Sequence, residues 1–172
     1  MTIRPPDPAD LAALTSFLAG LSTRTRVQRC FAPVRPTPAL VRSACGQAGP
    51  AGRADVLLAT HDGAIIGHAM AADRAAAGES LTEIGVVVAD AWQGQGVGSA
   101  LVGALVGRAQ ARGVTSLRMD VLPDNRQVLG MIAGHWAAAR SRREADCVTI
   151  QVGLPPAPPG RVTPARVPLA VR

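Results

Sequence analysis

Between Val86 and Leu101 the chain reads Val-Val-Val-Ala-Asp-Ala-Trp-Gln-Gly-Gln-Gly-Val-Gly-Ser-Ala-Leu, an apolar β-branched run that passes through a glycine-dense turn into a helical sequence. A strand, a tight turn and a helix in direct succession commit this part of the chain to an α/β arrangement. The turn also has a chemical character. Glycine lets backbone N–H groups approach an anion with no Cβ in the way, and the helix N-terminus behind it carries unpaired donors and about half a positive charge. That is the architecture of a phosphate cradle. No Lys-Ser or Lys-Thr pair follows the glycines, which argues against a nucleoside-triphosphate loop. The segment also lies mid-chain rather than opening a dinucleotide-binding unit.

A chain of 172 residues suits one domain, large enough to bury about two thirds of its unfolded surface. No apolar run approaches the roughly 18 residues of a membrane span, and Met1-Thr-Ile-Arg-Pro-Pro-Asp7 is a poor secretory signal. A soluble cytoplasmic protein, not bound to a membrane, is expected. Cys30, Cys45 and Cys147 show no Cys-x-x-Cys spacing and are read as small core residues. His61, His68 and His135 are too dispersed for a metal site, and structural or surface roles are expected of them. The net charge of +6 comes entirely from arginine, since the chain has no lysine. Basic character helps attract an anionic ligand. Nucleic acid is not the expected partner, because the arginines are dispersed and two Phe, two Trp and no Tyr give no stacking platform.

Prolines crowd toward both ends, with only Pro50 and Pro123 between residues 39 and 154. The folded domain is therefore expected over 1–152. Residues 153–172, with Pro155-Pro-Ala-Pro-Pro159 and no acidic residue, read as an extended or disordered tail. Within the body, Leu11, Leu14, Leu18 and Leu21 have the spacing of a half-buried helix capped near Asp7 or Asp10. Helical pieces follow near 22–31 and 38–45, then a loop over 46–53. Residues 55–60 and 64–70, joined by His61-Asp62-Gly63, form a β-hairpin. An Ala/Gly-rich connection over 75–80 leads to a strand at 81–88, then to the glycine turn. The helix from Val97 to Arg112 is closed by Gly113. A strand at 115–122, a helix at 125–133 ended by Gly134 and a last strand at 145–152 complete the order.

The pattern Gln93-x-x-Gly96-x-Gly98, preceded by Glu83-Ile-Gly-Val-Val-Val88, resembles the acyl-CoA-binding signature of the GNAT acetyltransferase superfamily. Leu117-Arg-Met-Asp-Val-Leu-Pro-Asp-Asn125, Met131 and Gly134-His-Trp136 resemble the second half of the same pattern, with His135 inserted before the aromatic residue. The resemblance covers roughly residues 10 to 152. It implies a GNAT fold: a central mixed, mostly antiparallel sheet flanked by helices, with acyl-CoA bound where the fourth and fifth strands splay apart. Acetyl-CoA is then the co-substrate, with no metal. Main-chain donors of Gln93, Gly94, Gln95, Gly96, Val97, Gly98 and Ser99 would hold its diphosphate. The backbone of Val86, Val87 and Val88 would line its pantetheine arm, and Asn125 would touch it from the second helix. As a bare helix cap, Asn125 is explained without a ligand.

Phe17-Leu-Ala-Gly-Leu-Ser-Thr-Arg-Thr-Arg-Val-Gln-Arg-Cys-Phe31, taken with Thr82-Glu-Ile-Gly-Val-Val-Val88, resembles bacterial protein-lysine acetyltransferases that modify acyl-CoA synthetases. Val27 and Cys30 stand where aromatic residues are more usual. In that group a glutamate entering the fourth strand is the general base, and the matching residue is Glu83. The chemistry needs such a group, because a lysine of pKa about 10.4 must lose a proton, at a cost of roughly 4 kcal/mol near neutrality. Glu79 and Glu144 lie in less constrained surroundings. The alternative for Glu83 is a surface charge at a strand edge. Two other functions stay open, an acetyltransferase for a small amine of the aminoglycoside or polyamine kind and a non-catalytic acyl-CoA-binding regulatory module. Sequence leaves the oligomeric state undecided.

Overall fold

The computed structural model describes residues 1–46, 54–76 and 79–155. Seven strands make one sheet: β1 (Thr2–Arg4), β2 (Ala54–His61), β3 (Ala64–Ala76), β4 (Glu79–Val88), β5 (Ser116–Val121), β6 (Arg140–Arg143) and β7 (Val148–Gly153). The helices are α1 (Leu11–Gly20), α2 (Thr23–Cys30), α3 (Pro38–Ala44), α4 (Val97–Ala111) and α5 (Arg126–His135). The strand order is β1-β2-β3-β4-β5-β7-β6. Every neighbouring pair is antiparallel except β4 and β5, which run parallel. This is the mixed, mostly antiparallel sheet that the resemblance implies.

Successive strand residues face opposite sides of a sheet, and here both sides are covered. Leu57, Ala59 and Ile84 join Leu101, Leu105 and Leu117 in a core beneath α4. Leu58 and Val87 join Leu14, Phe17, Leu21 and Val41 in a second core beneath α1 and α3. Close approach of α4 needs Gly67 on β3, where a Cβ would come within 2.9 Å of Leu101 Cδ1. The buried Asp55 carboxylate of β2 is held by Arg108 of α4 and by Arg112, the residue that caps the end of that helix. Asp7 and Asp10 cap the turn before α1 reciprocally, and Arg4 bonds Asp10 at 2.7 Å.

The expected elements are present with several corrections. β1 pairs with Leu58–Thr60, yet three residues before Pro5 are too few to show a period. β6 is Arg-Ser-Arg-Arg, exposed throughout at the sheet edge, with no apolar alternation to announce it. The connection expected over 75–80 is largely strand, since Ala75 pairs with Ser80 and Ala76 with Glu79. Cross-strand pairing overrides the weak β preference of Ala75 and Ala76. α5 runs one residue beyond Gly134, and the last strand starts at Val148 rather than residue 145. Gly153 lies in β7, and Leu154 is buried and donates its N–H to the Thr115 carbonyl. Residues 47–53 of the expected loop, and the expected tail from 156 on, lie outside the described residues. The cysteines are free and half-buried: Cys45 packs against the core beneath α1 and α3 as expected, whereas Cys30 and Cys147 lie on the wall of a cleft.

His68 has a structural role: it is buried, and its Nε2–H donates to the Ala44 carbonyl at 2.8 Å, tying β3 to the end of α3. Burial pushes its pKa down to about 4, against the hydrogen bond to Ala44 and assisted by the Arg29 charge. The unfolded chain, with His near 6.5, therefore binds the proton first as the pH falls. Stability should be full above about pH 6.5 and lost toward pH 4, by about 2 kcal/mol between pH 7 and pH 5. Denaturant unfolding at the two pH values should show that drop, and His68→Ala should remove most of it. Equal pH dependence in the two proteins would contradict the assignment.

Candidate active site

β3 pairs with β4 along its whole length, from Glu79 to Val88. β5 pairs with it only at Leu81, Thr82 and Glu83, opposite Ser116, Leu117 and Arg118. From Ile84 onward the second edge of β4 faces no strand, so its peptide groups need other partners. The gap opens into a cleft of about 930 Å³, walled by β4, β5, α2 and the starts of α4 and α5. Such a volume is in the range of small-molecule sites.

The glycine turn closes one end of the cleft. Gly94 (φ 73°) and Gly96 (φ 81°) both lie in the left-handed region, which glycine adopts without strain. Gly96 is the N-cap of α4 and supplies no side-chain cap, whereas Ser22, Thr37 and Asn125 cap α2, α3 and α5. The first bond in this helix runs from Ala100 N–H to the Gly96 carbonyl. The N–H groups of Val97, Gly98 and Ser99 therefore have no partner within the helix.

Glu83 stands where β5 leaves β4, at the opposite end of the cleft from the glycine turn. Val86, Val87 and Val88 line the wall between, with Val86 and Val88 packed toward the α4 core and Val87 toward α1. Gly94, Gly96, Gly98 and Ser99 also line the cleft. The Gln93 side chain is spent internally, donating to Thr25 Oγ1 and to the Val88 carbonyl, each at 3.1 Å. Gln95 lies off the cleft wall and donates to the Ala91 carbonyl at 2.8 Å. Val97 is a core side chain. Gln93, Gln95 and Val97 thus have only backbone to offer a ligand there. Asn125 lines the facing wall while its Oδ1 accepts the Val128 N–H at 3.3 Å, capping α5.

Four features escaped the sequence reading. Asp90, in the turn after β4, accepts the Ser22 N–H at 3.0 Å, the Ser22 hydroxyl at 2.6 Å and the Thr25 hydroxyl at 2.8 Å, pinning the start of α2 above the cleft. Burial alone would raise its pKa, but these hydrogen bonds outweigh that and hold it below the usual carboxylate range. The spacing Ser22-x-x-Thr25 signals the helix start but not its partner. Arg118 stands in register with Glu83 and reaches Asp120 at 3.2 Å, which raises its pKa. Arg29 projects into the cleft from α2, and Cys30 and Cys147 share its wall. Among the described residues no group of three or more His, Cys, Asp or Glu is placed to hold a metal, and no helix is long and apolar enough to cross a membrane.

A sheet parted between a parallel fourth and fifth strand, with a glycine turn opening the helix that joins them, is the α/β arrangement that the resemblance implies. Comparison with known proteins agrees. Residues 24–134 match the sequence profile of the acetyltransferase (GNAT) family, and the chain belongs to that family. Acetyltransferases of that family use acetyl-CoA as the donor co-substrate. Over 80 residues the chain is 32% identical to acetyltransferase Pat of Mycolicibacterium smegmatis, covering 45% of this chain and 23% of that one, so it corresponds to under a quarter of that relative. The GNAT domain of S. lividans PAT superposes with a TM-score of 0.77 at 26% identity, over 88% of this chain and 89% of that one. A phosphinothricin acetyltransferase of Sinorhizobium meliloti, solved with acetyl-CoA, shares the fold with a TM-score of 0.67 at 19% identity, over 89% of this chain and 88% of that one.

Asp90→Ala should loosen α2 without disturbing the sheet. The expected outcome is faster amide exchange through α2 and a stability loss of about 1 kcal/mol, as for other lost caps. Unchanged exchange in α2 would contradict the pinning role.

Proposed function

We propose that the domain acetylates a protein lysine side chain, with Glu83 as general base and main-chain groups of the cleft holding acetyl-CoA. The observation that carries this is the placement of Glu83 at the point where β4 and β5 part. A carboxylate there meets an amine entering at one end of the cleft while the glycine turn lies at the other.

The residues fit the donor. An uncapped helix start with free N–H groups suits a diphosphate. Gly98 adds a second argument. Inside a helix glycine costs roughly 1 kcal/mol relative to alanine. A Cβ at Gly98 would meet Val88 Cγ2 at 3.7 Å, an ordinary contact, so internal packing does not require the glycine. It leaves the helix backbone there open to close approach by a ligand. Gly94 to Ser99 would hold the diphosphate, the open edge of Val86 to Val88 the peptide-like pantetheine arm, and Asn125 the facing side. When bound, the thioester supplies an activated acetyl group.

This chain's own residues do the rest. Glu83 takes the proton of the attacking ammonium group, directly or through water. The Val88 N–H, held in place by the strand, stabilises negative charge on the carbonyl oxygen at little reorganisation cost. No tyrosine exists in the chain to protonate the leaving thiolate, so that proton comes from water or the group departs as the anion. The upstream resemblance along 17–31 and the likeness to S. lividans PAT support a lysine acceptor, with an acyl-CoA synthetase as its source and the cytoplasm as the setting.

Labelled acetyl-CoA, candidate synthetases and a panel of small amines test this together. The 172 residues contain no lysine, so label on a lysine must come from the added acceptor. Glu83→Gln should lower turnover at least tenfold with little change in acetyl-CoA affinity, whereas a bulky residue at Gly96 should weaken that affinity. Unchanged turnover would eliminate Glu83 as the base, and label only on small amines would reassign the acceptor.

A further inference from the structure

The acceptor end of the cleft contains a cation with no role in proton transfer. Arg29, in the last turn of α2, lies against β4 at Gly85. A Cβ on Gly85 would come within 2.7 Å of Arg29 Cζ and Nη2 and 3.0 Å of Nη1, so the guanidinium presents its face to the strand backbone. Only glycine admits that approach. Gly85 and Glu83 are two residues apart on one face of β4, a spacing of about 7 Å.

The guanidinium has no hydrogen-bond acceptor among the described residues, although it carries five donors. Nearby arginines differ. Arg26 donates to the Ala19 and Leu21 carbonyls, and Arg118, the other arginine on the cleft wall, is paired with Asp120. Burial disfavours the charged form of Arg29, opposed by Cys30 and Glu83. Its donors, which meet no acceptor among the described residues, open onto the cleft, where an anion can reach them. With one face on Gly85, the N–H edges remain for a planar carboxylate, which guanidinium binds through two parallel bonds. The donor's diphosphate is not that anion, because the glycine turn begins beyond Val88, about 10 Å further along β4.

We propose that Arg29 receives a carboxylate of the acceptor, so that the amine acetylated here is one bearing a carboxylate within about 7 Å. Granting Glu83 the reacting amine, as proposed above, the two charges read the two ends of one acceptor. The carboxylate comes either from an acidic residue beside the target lysine of a polypeptide or from a free amino acid. Arg29 is thereby a specificity residue, touching the substrate away from the reacting atoms.

The test uses two acceptor pairs: a lysine peptide with Glu or Gln after the lysine, and a free ω-amino acid or the matching alkylamine. Equilibrium binding to the CoA-saturated protein and the rate of acetyl transfer are measured for each. The carboxylate-bearing member of at least one pair should bind about tenfold more tightly. Arg29→Gln should bring that ratio close to one. Gly85→Ala should do the same with the arginine still present, because its Cβ displaces the guanidinium. Arg29→Lys should retain part of the ratio, and unchanged acetyl-CoA affinity and thermal midpoint would show that the variants fold.

Preference within the peptide pair identifies a polypeptide acceptor, and preference confined to the free pair a small molecule. Equal binding of both members of both pairs, or a ratio that survives Arg29→Gln and Gly85→Ala, would overturn the role of Arg29. A ratio that collapses as expected while no acceptor is acetylated would uphold Arg29 and defeat the catalytic reading.

Discussion

One edge of β4 is paired along its full length and the other for three residues only. A strand left half-open inside a sheet leaves peptide groups unsatisfied unless something else meets them. The rest of the molecule is arranged around that opening. β5 turns away after Glu83, α5 returns on the far side with Asn125 at its start, and the glycine turn leads directly into α4. The Gln93 side chain takes up the Val88 carbonyl, so the turn is fastened to the strand it follows. In the proposed function, donor and acceptor would meet in this one continuous cleft.

The two cores make this opening stable. α4 is anchored by buried leucines and by the Asp55 ion pairs, which fixes the helix whose first turn has no cap. A helix start left with free donors is tolerable because the remaining turns are so firmly packed. On the opposite face α1 and α3 close over Leu58 and Val87, and α2 hangs from Asp90 at one end and lies on Gly85 through Arg29 at the other. That helix therefore walls the cleft beside Glu83.

Local features were legible in the sequence. The spacing of Leu11, Leu14, Leu18 and Leu21 placed α1, the His61-Asp62-Gly63 turn between two apolar runs placed the β2–β3 hairpin, and the glycine turn with Gly113 bounded α4; the glycines at 94, 96 and 113 take positive φ as turn and stop signals require. The proposed donor side, Asn125 apart, lies in one contiguous segment, so its glycine turn and helix start could be read locally. Long-range features were not. Asp90 meets Ser22 across 68 residues, and nothing in either segment names the other. Gly85 reads as an ordinary strand residue until Arg29 is seen lying on it. β6 was missed because an edge strand of exposed arginines carries no period, and Cys30 and Cys147 were misplaced because a cleft wall and a core both favour small apolar residues.

The central claim is that the half-open edge of β4 and the uncapped start of α4 together hold the acetyl donor. Backbone amide NMR during titration with acetyl-CoA tests it most directly, because it reports each N–H separately. The expected result is that the largest shift changes fall at Gly94 to Ser99 and at Val86 to Val88, saturating together, with the β1–β2 edge unaffected. Saturable binding that leaves both segments unchanged and perturbs another surface would contradict it.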